Sequence, residues 1–206
     1  MKYLKMLGLA AVAAMALMAV TAGAASATTL EVAGTAQTES VAITASAETS
    51  ITLSDTENTQ ANTCSVSSVA GTTSESKTAS GEVISAFTGK RVTGPISTLS
   101  FETCTRSPVT VDTKGALFIE WESGTSGSVF SEGASVTVPT TFGFSVTCTT
   151  ASEAGGGTKI GTLTGSASEK ATMSIAAVLS CGFLLPSASW KGSYLVTSPE
   201  KLGVVS

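Results

Sequence analysis

The chain has 206 residues, four cysteines, no histidine and a formal net charge of −4. That length suffices for one buried core or two small ones. An acidic balance without basic clusters excludes nucleic acid and anionic membrane as expected partners. The missing histidine excludes Ser-His-Asp and Cys-His catalysis and every histidine-based metal site.

Residues 1–27 read as a cleavable signal peptide helix. Lys2 and Lys5 form a basic start, and Met6 to Val20 is an apolar run too short to span a bilayer comfortably. Ala25-Ser26-Ala27 supplies the small residues a signal peptidase needs, which places cleavage after Ala27. No cysteine lies near that point to take a lipid. The expected location is secreted, extracellular or in the cell envelope, with no membrane span after cleavage. Losing Lys2 and Lys5 moves the net charge from −4 to −6 for residues 28–206.

The remainder reads as one all-β domain, residues 28–206. Serine and threonine make up about a third of the chain, and threonine and valine suit pleated surfaces. Short alternating runs follow one another: Val41, Ile43 and Ala45; Ile51 and Leu53; Leu117, Ile119 and Trp121; Val136 and Val138; Phe142, Phe144, Val146 and Cys148; Met173, Ile175, Ala177, Leu179 and Cys181. Residues two apart share one face of a strand, so each run buries one side. A helix competes only over Ala171–Leu179, with its Ala176-Ala177 pair. Turns are expected at Gly94-Pro95, Ser123-Gly124, Glu132-Gly133 and Gly155-Gly156-Gly157, and a long mobile loop over residues 70–82. Many short strands between such signals predict an antiparallel β-sandwich or partly open barrel.

Export and an even cysteine count read as two disulfides rather than a metal site, with three pairings open. A faint internal repeat, around 64–121 and 148–198, chooses among them. Cys104 and Cys181 are each followed ten residues later by Lys-Gly, at 114–115 and 191–192, and then by a strand. Leu117 and Ile119 then match Tyr194 and Val196. If each unit closes its own bridge, the pairs are Cys64–Cys104 and Cys148–Cys181.

Residues 161–206, from Gly-Thr-Leu-Thr-Gly through Cys181-Gly-Phe-Leu-Leu-Pro and Trp190-Lys-Gly-Ser-Tyr, carry a resemblance. With Gly94-Pro95-Ile96 to Cys104 and Pro108-Val-Thr-Val111, they resemble a group of small secreted bacterial proteins of unknown function. The resemblance covers most of the chain after the leader. It implies export and two cysteine pairs, and nothing catalytic. A looser, compositional likeness is to the secreted alkane-oxidation activator family, also small, signal-bearing and rich in Ser, Thr and Ala.

Tests for chemistry fail one by one. Ser74-Glu-Ser-Lys77 fits Ser-x-x-Lys but lacks the companion motifs and falls in the expected loop. Glu120 and Glu122 share a strand face, as glycosidase acids do, but without a third acid. Gly155-Gly-Gly-Thr-Lys159 lacks the Gly-Lys-Ser/Thr order of a phosphate loop. Asp55 and Glu57 are too few for calcium. Aromatics stack on sugar faces, and of Phe118, Trp121, Phe183, Trp190 and Tyr194 the ligand-binding candidates are Trp190 and Trp121. The expectation is a non-enzymatic envelope or extracellular protein, structural or binding, with no cofactor and no metal. The alternative is a soluble carbohydrate or small-ligand binding module. Its expected partners are cell-wall or extracellular glycan, or further copies joined through edge strands.

Overall fold

The computed structural model describes residues 27–55, 61–73, 75–77, 83–84, 90–151, 156–183 and 185–206, and of 75–77 and 83–84 the backbone alone. Apart from Ala27, the expected leader lies outside the described residues. Thr28 is fully buried, and its hydroxyl donates to the Lys90 carbonyl while accepting from the Trp121 amide.

Strand follows strand because apolar and hydroxylated residues alternate. The chain begins with β1 (Thr29–Val32) and β2 (Thr35–Ala36). Then come eight staves, several of them bent. The first is β3 (Ala42–Ala47) continued by β4 (Ile51–Asp55), and the second is β5 (Asn62–Thr72) continued by β6 (Glu75–Lys77). β7 (Val83–Ile84) hangs on β6, and β8 (Arg91–Cys104) is the third stave. The fourth joins β9 (Thr110–Thr113) to β10 (Ala116–Ser123), the fifth β11 (Ser126–Glu132) to β12 (Ser135–Pro139), and the sixth β13 (Ser145–Thr149) to β14 (Thr158–Thr164). β15 (Thr172–Ser180) and β16 (Ser187–Ser198) are the seventh and eighth, and β17 (Leu202–Val205) ends the chain.

Each stave pairs antiparallel with the next, through β3, β5, β8, β10, β11, β14 and β15 to β16, and β16 pairs back onto β3. The result is a closed, eight-stranded, up-and-down barrel. The expected antiparallel all-β fold with two disulfides forms, as a closed barrel rather than a sandwich or a partly open one. The Ala171–Leu179 segment is strand: Met173, Ile175, Ala177 and Leu179 are buried and the residues between them face out, a period of two.

Three other expectations change. Residues 70–82 are not one loop, since Ala70–Thr72 finish β5 and β6 pairs with both β7 and β8. Gly94-Pro95 is not a turn but lies inside β8, at the register break where its partner changes from β5 to β6. Proline is tolerated at such irregularities because its missing N–H disturbs no regular ladder. Phe142 and Phe144 lie in the loop before β13 rather than in an alternating strand, and their stacked rings are exposed.

The barrel has two unlike ends. At one, β17 pairs with β1 and β1 with β2, and Leu30, Leu202 and Val204 close the core. At the other lie both disulfides, Cys64–Cys104 and Cys148–Cys181. Cys64 and Cys104 face each other across the β5–β8 ladder. At this end β9, β12 and β13 form a three-stranded flap. Among the described residues no ladder joins β9 to β8, and β13 meets β15 in the single pair Thr149 and Ser180, next to the second disulfide.

Candidate functional site

An eight-stranded ring leaves an interior that side chains just fill, or that holds one small ligand. Here the interior is apolar and not completely filled. One cavity, of about 60 Å³, lies towards the disulfide end, between the flap and the opposite wall. Its lining includes Ile51, Phe101 and Trp190 from the wall, and Val136 and Val138 from β12. A second, of about 80 Å³, lies towards the terminal sheet and is lined by Ile43, Val92, Ile119, Leu163 and Leu202 among others. Val69, Ile96, Leu117 and Met173 line both.

Polar groups in the lumen are few. The Tyr194 hydroxyl meets Ser67 Oγ at 2.8 Å, and Ser67 donates to the Ser100 carbonyl at 2.6 Å. Ser131 and Thr150 meet at 3.4 Å, and Thr150 Oγ1 also accepts from the Ala134 amide at 2.9 Å. Asn62 closes the disulfide end by accepting from Thr105 and the Arg106 amide and donating to the Arg106 carbonyl. Trp190 stands on the inward face of β16, edge-on to Phe101 with ring centroids 6.2 Å apart. Its indole nitrogen is buried and has no hydrogen-bond partner among the described residues. A buried donor left unmatched carries a desolvation penalty, so it marks a place where an acceptor belongs.

Burial pushes the Tyr194 phenol up from 10.0 to about 12, with the Ser67 hydrogen bond pulling weakly the other way. Because the folded pKa exceeds the unfolded one, this group supports the fold fully below pH 10 and withdraws that support as pH rises to about 12. Two pKa units correspond to about 3 kcal/mol. Urea unfolding at stepped pH should therefore show the wild type losing about that much over this window relative to Tyr194→Phe. At neutral pH the variant should be less stable by about 1 kcal/mol, for the lost hydrogen bond. Parallel pH curves for the two proteins would refute this assignment.

The other sequence candidates are not brought to the lumen as a group. Trp121 is half-buried near the terminal sheet, and its indole N–H donates to the Gly124 carbonyl at 3.0 Å. Neither tryptophan is the exposed platform that stacking on a glycan requires, since both turn to the core side of their strands. Phe183 is exposed in the β15–β16 connection, whereas Phe118 is buried on the outside of β10 against Phe130 and the Arg91 guanidinium. Glu120 and Glu122 face outward on a strand paired on both sides, not on an edge. Glu120 is held by Arg91 at 2.6 Å and Lys90 at 3.7 Å, and Glu122 by Ser128 at 2.8 Å and Lys159 at 3.7 Å. Each acid is engaged by cations of its own, and neither lines a cavity. Asp55 ends β4, while Glu57, Ser74 and Gly155 lie outside the described residues.

The residues that sequence reasoning overlooked are Phe101 and Ser67. Alternation gave Met173 its inward face, but only ring closure sets it between two cavities. The outer faces of β15 and β16 carry Thr172, Ser174, Ser189, Lys191, Ser193 and Thr197, interrupted by Ala176, Val178 and Leu195. A lipid-embedded barrel shows the reverse polarity, apolar outside and polar within. Among the described residues no helix is long and apolar enough to cross a membrane. Comparison with protein-family models, with curated proteins and with solved structures found no match.

Proposed function

We propose that this protein is an extracellular, non-enzymatic binding protein that holds a small apolar ligand inside its barrel. The observation that carries the reading is the apolar, incompletely filled lumen, lined in part by Trp190, whose buried N–H is unmatched among the described residues. A concave apolar enclosure with few polar groups is the usual form of a small-molecule site. The expected disulfide setting is an oxidising compartment, which agrees with a leader over residues 1–27. Assembly in the envelope through edge strands has less support. The strands paired on one side only, among those described, are β2, β7, β9 and β17, each of four residues or fewer. Edges that short are poor templates for another chain, and the longer one-sided stretch, Ser97–Cys104 of β8, lies beside β9 of the flap.

The test is native mass spectrometry of the protein recovered from the producing culture. The reading expects a fraction of the chains to carry a small molecule that is released on denaturation and extracts into organic solvent. A protein that is ligand-free from its own medium, and that takes up none of a hydrophobic extract of that culture, would argue for a purely structural role.

A further inference from the structure

Four side chains, Val69, Ile96, Leu117 and Met173, line both cavities. Val69 and Ile96 are β-branched and stiff at their first torsion. Met173 is the unbranched member, with three rotatable bonds and a soft thioether, and it can swing without moving the backbone. At about 60 and about 80 Å³, neither cavity alone reaches the roughly 150 Å³ known to take up benzene, whereas the two joined come near it. No side chain charged at neutral pH lines either cavity. A charged ligand would thus lose its hydration with nothing to replace it. Among the described residues, the unmatched buried group on a side chain that lines a cavity is a donor, Trp190 Nε1.

We propose that Met173 is a movable partition, and that the ligand is a neutral, unbranched chain with a single hydrogen-bond acceptor. The acceptor sits at Trp190 and the chain passes Met173 towards the β17 end. This rests on the lumen-binding reading and names the class of molecule it would hold.

Methyl ethyl ketone and methyl pentyl ketone serve as probes, one short and one long, with hexane as a chain that lacks an acceptor. Each is titrated by NMR into the wild type and into Met173→Phe, Met173→Ala and Trp190→Phe. Burial of each added methylene should tighten wild-type binding about fourfold. Met173→Phe should keep the short ketone and lose the gain from the longer chain. Met173→Ala should bind the long ketone at least as well as wild type, so the partition stays testable even where the larger ring disturbs folding. Trp190→Phe should weaken both ketones about fivefold and leave hexane unchanged. A long-chain gain that persists in Met173→Phe, or equal losses for ketone and hexane in Trp190→Phe, would overturn this proposal while leaving lumen binding intact. Failure of every probe to bind wild type would overturn the lumen reading itself.

Discussion

Replacing Cys148 and Cys181 together by serine should release the β9–β12–β13 flap, whereas the same change at Cys64 and Cys104 should leave local order intact. By chain entropy the two bridges are nearly equal. They span 33 and 40 residues of sequence, and each should contribute about 4 kcal/mol to global stability. What differs is the structure that remains after cutting. Cys64 and Cys104 sit in a ladder whose register continues from Val66 and Glu102 to Gly71 and Ile96, so the neighbouring pairs keep β5 on β8. Cys148 is on a flap strand whose only pairing with β15 is Thr149 with Ser180, and no ladder holds the flap's other flank to β8. Hydrogen exchange checks this directly. Amides of β12 and β13 should lose protection in the Cys148/Cys181 variant well below the global unfolding free energy, while those of β5 and β8 keep theirs. Loss of protection spread evenly over all strands would show that the flap is not a separate unit.

Gly115→Ala should destabilise the fold by about 3 kcal/mol or more, and Gly192→Ala by distinctly less. Both glycines follow the lysine of the repeated Lys-Gly pair. Gly115 bends the fourth stave between β9 and β10 with φ at +69°, a conformation that costs a residue with a Cβ about 1–2 kcal/mol. A Cβ there would stand 2.0 Å from the Glu132 carbonyl oxygen and 2.7 Å from the Ala134 nitrogen, both backbone atoms of the neighbouring stave. Gly192 also has positive φ, at +153°, inside β16. That φ strains a residue with a Cβ as well, but the closest obstacle, at 2.4 Å, is the Cδ1 end of the Ile51 side chain, which can turn aside, and the nearest backbone atoms stand back at 3.3 Å. Urea midpoints of the two variants compare the costs. Equal losses would mean that backbone conformation alone, and not the approach of the neighbouring stave, sets the requirement for glycine.

Those two glycines show what the sequence could and could not reveal. The Lys-Gly repetition was legible as a pattern preceding a strand, and its physical cause is a bend inside a stave. Counting staves from β3, the disulfides join the second to the third and the sixth to the seventh, and the glycines bend the fourth and the eighth. The repeated spacing therefore falls on matching positions in the two halves of the ring. Alternation named the inward residues of β15 and β10 correctly, because a period of two depends only on local geometry. Closure was not legible, since it depends on β16 meeting β3 across about 150 residues, and no local signal marks that pairing. For the same reason Trp190 read only as a candidate for stacking on a sugar. Its inward aim follows from Lys191 and Gly192 continuing the strand, and its value for binding from Phe101 on a distant stave.

The most direct test of the central claim, that the lumen binds a small apolar molecule, uses Trp190 as the reporter. In a Trp121→Phe protein it is the only indole. Titrated with methyl pentyl ketone, its emission should change and saturate at one ligand per chain, with the circular dichroism of the barrel unaltered. Emission that does not move, or that drifts linearly without saturating while the barrel stays folded, would contradict a ligand in the lumen.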